Sequence, residues 1–425
     1  MKNKQIQNPE EFFSSNEAES SLDNISFNRS DILDKIDCLS SGAACGPDGI
    51  PAILLKKCKY SLVDGLEILF RKFLVAGDIP SMMKHAFVIP IHKGGSRGLP
   101  ANFRPVSLTS HIMKTFERVI REVLVCHLET NSKLNPSQHG FRNRRSCLSQ
   151  LLEYHDQILS ILEEGHNVDS IYLDFAKAFD KVDKGILCHK LRSMGISGKL
   201  GLFLHNFLTD RKQTILANGK KSTPSIVKSG VPQGTVLGPI LFLILINDID
   251  QDIHSKVSLF ADDTRIARAV DNEEDVELLQ ADLDQVYCWQ ELNNIEFNGK
   301  KFEVMRYGKN KILKESKSYF TPNWEHIIEE KESLRDLGVI MSNDASFSSH
   351  VNLVCGKVRQ KSGWILRTFR NRQTWFLKLM WKTLVQPHVD YCSQLYFPHL
   401  NSEMQKIENL QQTYTRKIQE VSHLN

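Results

Sequence analysis

VSLFADDTRIARA, residues 257–269, decides how the rest of the chain is read. Ala261-Asp262-Asp263 interrupts two short strand-like runs, and that arrangement predicts a β-hairpin with paired acids at its tip. Taken alone, an Asp-Asp turn is as easily a solvated loop, because Asp bonds its own backbone in turns. A second stretch changes the weighing. Ile171-Tyr172-Leu173 is β-branched and aromatic, and Asp174 closes it. It predicts a buried strand that delivers a carboxylate at its end. Three carboxylates at neighbouring strand ends repel one another and are costly unless cations join them. Two Mg²⁺ ions about 3.5–4 Å apart would clamp the attacking and leaving oxygens of a phosphoryl displacement. Mg²⁺ takes few protein carboxylates because substrate phosphates complete its shell. Asp174 and Asp262 are then the shared ligands. Asp263 is the weaker candidate, because neighbouring strand residues face opposite ways.

Composition bounds the setting of this chemistry. A chain of 425 residues suggests two to three domains. With 41% hydrophobic and 24% charged residues, it is neither collagen-like nor wholly disordered. Nine cysteines are scattered without a C-x-x-C pair, which argues against zinc ribbons and for a reducing, intracellular setting. The N-terminal MKNKQIQNPEEFF has no apolar core for a signal peptide. The longest apolar run, ILFLILI at 240–246, is far short of the ~20 residues that span a bilayer. No membrane is expected. Whether the compartment is nucleus or cytoplasm is not encoded in a clear signal.

The net charge of +4 hides strong segmentation. Residues 81–145 hold eleven Lys/Arg against three Glu, residues 271–299 nine acids and no Lys or Arg, and residues 346–385 eight Lys/Arg and no acid. The basic blocks are candidate phosphate-backbone surfaces. The acidic block reads as a solvated amphipathic helix, with Asn272 as N-cap and Val276, Leu279, Leu283 and Val286 as its apolar stripe. Upstream, SSGAACGPDGIP (40–51) is a turn cluster. Ala52 to Ala76 then reads as one helix with Leu55, Leu62, Leu66, Leu69 and Phe73 on its inner face.

With these residues placed, the sequence resembles a non-LTR (LINE-type) retrotransposon reverse transcriptase, close to the jockey and chicken-repeat groups. Eight blocks carry the resemblance, in the family's order: FVIPIHKGG (87–95), NFRPVSLTS (102–110), QHGFRNRRSC (138–147), IYLDFAKAFDKVD (171–183), SGVPQGTVLGPILF (229–242), LFADD (259–263), NGKKFEVM (298–305) and DLGV (336–339). The resemblance implies a right-hand polymerase fold with an α/β palm, fingers and a helical thumb. Its divisions fall at 1–60 for an N-terminal lead-in and extension, 61–342 for fingers and palm, and 343–425 for thumb and post-thumb segment. It also implies RNA-directed DNA synthesis with two Mg²⁺ ions, Mn²⁺ being the substitute, on an RNA template, a DNA primer, their hybrid and dNTPs.

Residues carry over singly. Asp174, Asp262 and Asp263 match the metal-binding acids. Phe179 matches the aromatic gate under the sugar, where a ring leaves no room for the 2′-hydroxyl that distinguishes RNA from DNA. The plain alternative is a core Phe. Gln233, in Val-Pro-Gln-Gly, would meet the nucleotide or template pair; turn chemistry set by Pro232 and Gly234 is the alternative. Lys93 and Arg104 match positions near the triphosphate, Arg104 as a bidentate phosphate ligand and Lys93 as a point charge. Lys301 matches a downstream Lys that would protonate or neutralise pyrophosphate. In the second basic block Lys357, Lys361, Arg367, Arg370 and Arg372 would follow a nucleic-acid backbone, while the interleaved aromatics mostly pack the helices together.

Departures from the family are equally informative. Its members carry an upstream apurinic-type endonuclease, and the first 80 residues have neither the length nor the acid and His content for one. The chain therefore reads as the polymerase portion of a longer element or a truncated copy. The tail offers only His388, Cys392, His399 and His423 where some relatives carry a Cys/His zinc segment. The competing expectations are an RNA-dependent RNA polymerase, kept open by Asp180 beside Phe179, and a catalytically idle nucleic-acid-binding remnant.

Overall fold

The computed structural model describes residues 6–14, 20–308, 318–322, 325–398 and 400–418; His399 and His423 lie outside the described residues. In chain order the strands are β1 (His85–His92), β2 (Phe103–Leu108), β3 (Val168–Leu173), β4 (Lys212–Ala217), β5 (Lys220–Lys221) and β6 (Ser225–Ile226). They continue with β7 (Lys256–Phe260), β8 (Asp263–Ala269), β9 (Glu303–Tyr307), β10 (Glu329–Glu330), β11 (Ser333–Asp336) and β12 (Val339–Ser342). Helices alternate with them, so the class is the mixed α/β one expected. Two compact units divide the chain: residues 1–141, 174–253 and 285–298 in the first, and 142–173, 254–284 and 299–425 in the second.

In the first unit β1 pairs antiparallel with β2 and parallel with β4, and β5 and β6 extend from β4. Helices Arg29–Asp37, Lys59–Ala76, His111–Thr130 and Gly198–Leu208 bury an aromatic core of Phe27, Phe70, Phe73, Phe116 and Phe203. Phe70 and Phe116 stack there at 4.5 Å. The single helix expected over Ala52–Ala76 is two, Ala52–Lys57 and Lys59–Ala76. Cys58, at φ −101° and ψ 12°, leaves the helical well and resets the phase. The inner stripe therefore runs through Val63, Leu66, Phe70, Phe73 and Leu74, with Leu62 and Leu69 only half-buried.

Helix Gly238–Ile246 is buried on every side, which is why its sequence has no polar face. Its amino end meets a buried carboxylate. Glu117 accepts the backbone N–H of Val236 at 2.6 Å and of Leu237 at 3.1 Å. Negative charge is stabilising at that pole of a helix, although burial still pushes the Glu117 carboxyl above its usual range. Among the described residues, no helix is long and apolar enough to cross a membrane.

The second unit is built on a sheet of order β10-β9-β3-β8-β7. Its central strand β3 pairs antiparallel with both β8 and β9. Helix Cys147–Glu163 covers one face, setting Leu151, Tyr154 and Ile158 against Val168, Met305 and Tyr307. β11 and β12 form a separate hairpin. The acidic segment is the helix Glu273–Asn293. Asn272 caps it by accepting the Asp275 N–H at 3.0 Å, and all four stripe residues named above are buried.

A second core lies in the last 80 or so residues, among helices Ser348–Thr368, Thr374–Met380 and Asn401–Thr415. Val351, Val354, Val358, Ile365, Leu377 and Tyr414 pack together, and the Tyr414 hydroxyl donates to the Leu377 carbonyl at 3.0 Å. Phe369, Phe376 and Trp381 pack against this core, as expected of the aromatics there. Trp364 and Trp375 do not: they stand 46% and 62% exposed.

Candidate active site

The β7–β8 turn comes first. Phe260 pairs with Asp263, which leaves Ala261 and Asp262 as a two-residue turn. Tight hairpins of this length need positive φ, and Ala261 adopts φ 55°. Ala261 is buried, Asp262 half-buried and Asp263 exposed, so the paired acids expected at the tip are there and face different surroundings. One step along, Thr264 pairs with Leu173, the last residue of β3. Asp174 is the next residue in the chain. Its carbonyl accepts the Asn298 N–H at 2.7 Å, at the start of the Asn298-Gly299-Lys300-Lys301 turn. Lys301 is exposed in that turn.

The first unit gathers a second group of residues. Phe179 is half-buried, stacked on Phe242 at 4.5 Å and edge-on to Phe141 at 6.3 Å. It is thus both a packed ring and an accessible one. Residues 229–234 thread between the short helix Ala178–Lys181 and β2. The N–H of Val231 donates to the Phe179 carbonyl at 2.8 Å, and the N–H of Ser107 donates to the Gln233 carbonyl at 2.7 Å. Two glycines allow so close a passage. A Cβ on Gly230 would lie 2.8 Å from the carbonyl oxygens of Phe179 and Asp180, and one on Gly234 2.5 Å from that of Ser107; both residues also have positive φ. The Gln233 amide donates to Asp180 Oδ1 at 3.2 Å. Burial pushes the Asp180 carboxyl above its usual range, against the pull of Lys177, Gln233 and Lys93.

Lys93, whose charge acts on Asp180, is exposed at the end of β1, and Arg104 is exposed opposite Ile91. A cavity of about 520 Å³ opens beside Asp180 and Gln233, and Lys177, Lys181, Arg211, Lys212 and Lys228 line it against the single carboxylate of Asp180. In the helical part of the second unit Lys361, Arg367 and Arg370 are exposed and Lys357 half-buried. Arg372 is engaged otherwise, since its guanidinium donates to the Leu366 carbonyl at 2.6 Å and to that of Phe369, closing the end of helix Ser348–Thr368. Among the described residues, no three His, Cys, Asp or Glu side chains gather closely enough to hold a metal by themselves.

A family profile described as "Reverse transcriptase (RNA-dependent DNA polymerase)" matches residues 91–341, more than half of the chain, from within the FVIPIHKGG block through all the later blocks to DLGV. The chain belongs to the reverse transcriptase family. Over 399 residues it is 28% identical to a probable RNA-directed DNA polymerase from transposon X-element of Drosophila melanogaster, covering 89% of this chain and 42% of that one. Over 367 residues it is 27% identical to the RNA-directed DNA polymerase from mobile element jockey of Drosophila funebris, covering 83% and 39%. The chain thus spans about two fifths of the length of these curated relatives. Among solved structures, a telomerase from Candida tropicalis in complex with a TWJ fragment of telomeric RNA aligns at TM-score 0.46 and 12% identity, over 86% of this chain and 59% of that one. The kinship expected from the motifs is with jockey-type elements, and these relatives agree with it.

Two buried charged residues of this chain were not singled out by sequence. Glu117 is buried where it accepts the Val236 and Leu237 N–H groups, and Arg211 is a buried residue in the wall of the cavity. One signal was available for Glu117: it is one of only three acids in the 81–145 block.

Proposed function

We propose that this chain is an RNA-directed DNA polymerase that adds dNTPs to a primer 3′-hydroxyl on an RNA template. The observation that carries the reading is the β3–β8 register. Leu173, which Asp174 follows in the chain, pairs with Thr264, which Asp262 and Asp263 precede. The donors are carboxylate oxygens alone, with no His or Cys in the two motifs, a set that suits Mg²⁺ and leaves room for substrate phosphates. Asp174 and Asp262 would hold two Mg²⁺, or Mn²⁺ in their place, with Asp263 alongside. When bound, the ions supply charge neutralisation at the reacting phosphate and acidify the attacking hydroxyl.

The chain's own residues supply position and selectivity. The primer 3′-hydroxyl loses its proton to solvent as its oxygen bonds to the α-phosphorus, the α–β bridging bond breaks, and pyrophosphate leaves. Lys93 and Arg104 hold the triphosphate, and Lys301 delivers a proton to the departing pyrophosphate. The Phe179 ring, braced by Phe242, occupies the space a 2′-hydroxyl needs. Gln233, held by Asp180, aligns the template pair. The Asp180 carboxylate thus has a partner within the fold, which supports deoxynucleotide rather than ribonucleotide synthesis. Residues 61–342 serve as fingers and palm and 343–425 as thumb, with Lys357, Lys361, Arg367 and Arg370 against the backbone of the hybrid. Nine cysteines, all free thiols, suit an intracellular compartment.

Extension of a primed homopolymer RNA template with dTTP, in the presence and absence of Mg²⁺, tests the proposal. Metal-dependent incorporation that Asp262→Asn removes is the expected result. Binding with no incorporation by folded protein, under conditions where a related polymerase works, would mark the chain as an idle remnant.

A further inference from the structure

The exposed tryptophans of the second unit are unusual for a surface that only follows a duplex backbone. Trp364 and Trp375 are 46% and 62% exposed. Each is fixed from one side. Trp364 meets Phe369 edge-on at 5.9 Å, Phe369 meets Phe376 at 5.2 Å, and Phe376 meets Trp375 at 5.7 Å, so four rings form one connected row. The indole N–H of Trp375 donates to Gln373 Oε1 at 2.8 Å, which sets its orientation. The loop between the two helices is closed by Arg372 on the carbonyls of Leu366 and Phe369, and by Asn371 accepting the Gln373 N–H at 2.9 Å. These rings are therefore held in place and still open to solvent.

Cations flank both rings at helical spacing. Lys361 and Arg367 lie three residues either side of Trp364, and Lys378 and Lys382 lie three and seven residues beyond Trp375. All four are exposed, as is Arg370 in the loop. Residues 346–385 contain no acid to oppose them. An open aromatic face with a cation one turn away matches a base and its neighbouring phosphate. Bases in a duplex present only their edges, so a duplex uses the cations and leaves the rings idle.

We propose that this ridge binds unpaired nucleotides, with Trp364 and Trp375 as stacking platforms, so that the basic helical segment grips single-stranded nucleic acid as well as the backbone of a hybrid. The inference deepens the polymerase reading and rests on it, because it names the form of nucleic acid taken at the same basic surface. Stacking tolerates any base, so the strand is specified by its being unpaired rather than by its sequence.

The test is fluorescence anisotropy of the full chain with three labelled probes of equal length: single-stranded RNA, single-stranded DNA and a blunt RNA–DNA duplex. Trp364→Ala with Trp375→Ala should weaken single-strand binding by about tenfold or more and duplex binding by less than about twofold. The logarithmic salt slope should be unchanged, because no cation has been removed. Lys361→Ala with Arg367→Ala should instead lower the salt slope on every probe. The two single-strand arms distinguish an RNA from a DNA occupant. Trp375→Gln, at an exposed site, provides a second variant if the double one misfolds, and it should also lose single-strand affinity. Equal losses on single strand and duplex, or none on either, would overturn the inference. A wild-type chain that binds none of the probes would overturn the polymerase reading itself. One that binds duplex, with single-strand affinity indifferent to the tryptophans, would overturn the stacking inference alone.

Discussion

Arg265 on β8 and Asp336 on β11 form an ion pair whose side chains are 3% and 5% exposed. The guanidinium also lies over the Tyr154 ring at 4.4 Å, and Arg265 stands directly opposite Tyr172 in the sheet register. Tyr172 donates to the Tyr154 hydroxyl at 2.9 Å, and Tyr154 meets Tyr307 at 3.4 Å. The Asp-Leu-Gly-Val turn is thereby fastened to the strand that begins with Asp263. A second tie comes from Tyr391, whose hydroxyl donates to the Leu337 carbonyl at 2.6 Å. Removing one partner of such a pair strands the other charge away from water. Asp336→Ala should therefore cost about 3–5 kcal/mol, whereas Arg265→Met with Asp336→Leu should recover most of that loss. Urea denaturation of the three variants checks it. An Asp336→Ala protein within about 1 kcal/mol of wild type would show that the pair does not hold the turn.

The acids at the strand ends should separate chemistry from binding. Asp174→Asn and Asp262→Asn keep size and remove charge, so each should lower primer extension by at least about 10²-fold. Hybrid binding should change by no more than a few-fold, since no cation is removed. Asp263, exposed at the first position of β8, should be the more tolerant of the three. Single-turnover extension paired with filter binding reads both quantities. Parallel loss of binding and extension would assign these acids to folding instead.

Phe179 offers a test of selectivity. Its ring is stacked on Phe242 and only half-buried, so the exposed part is what a sugar would meet. Phe179→Ala should lower the preference for dNTP over rNTP by roughly 10–200-fold, the range in which a pocket discriminates small apolar and hydroxyl differences. The ratio of kcat/KM values for dTTP and UTP measures it. An unchanged ratio would return Phe179 to the core.

These residues also show what local pattern can and cannot reveal. The VSLFADDTRIARA hairpin and the IYLD strand were legible because alternation, β-branched content and turn chemistry all act within a few residues. The acidic helix was legible for the same reason: its cap and stripe are local. The break at Cys58 was not, because nothing in Ala52–Ala76 is a strong helix breaker at that position and the break becomes visible only through which leucines are left half-buried. Pairings between distant residues were also out of reach. Glu117 and Val236 are 119 residues apart, Arg265 and Asp336 are 71, and Gln233 and Asp180 are 53. No periodicity spans such distances. Family motifs supplied Gln233 but not its partner, since a motif names residues and leaves their hydrogen bonds to the fold.

His350 gives the fold a dependence on pH that can be worked out in sign. It sits in the first turn of helix Ser348–Thr368, is 3% exposed, and packs edge-on to Tyr396 at 4.6 Å. Its Nδ1 accepts the Ile340 N–H of β12 at 3.1 Å, which requires a neutral ring with its proton on Nε2. Burial first, then the positive charges of Lys357 and Arg335, push its pKa down to about 4. The unfolded chain binds that proton near pH 6.5, well before the folded one does. The stability that neutral His350 contributes is therefore complete above about pH 6.5 and is lost progressively as pH falls towards 4. For so buried a ring the loss should be about 1–3 kcal/mol. His350→Gln should be less stable than wild type at pH 7.5 and should show a shallower decline between pH 6.5 and 4.5. Subtracting the two curves cancels the carboxylates that titrate in both proteins. Superimposable slopes in urea denaturation across that range would mean that the ring is already protonated, or already solvated, in the folded state.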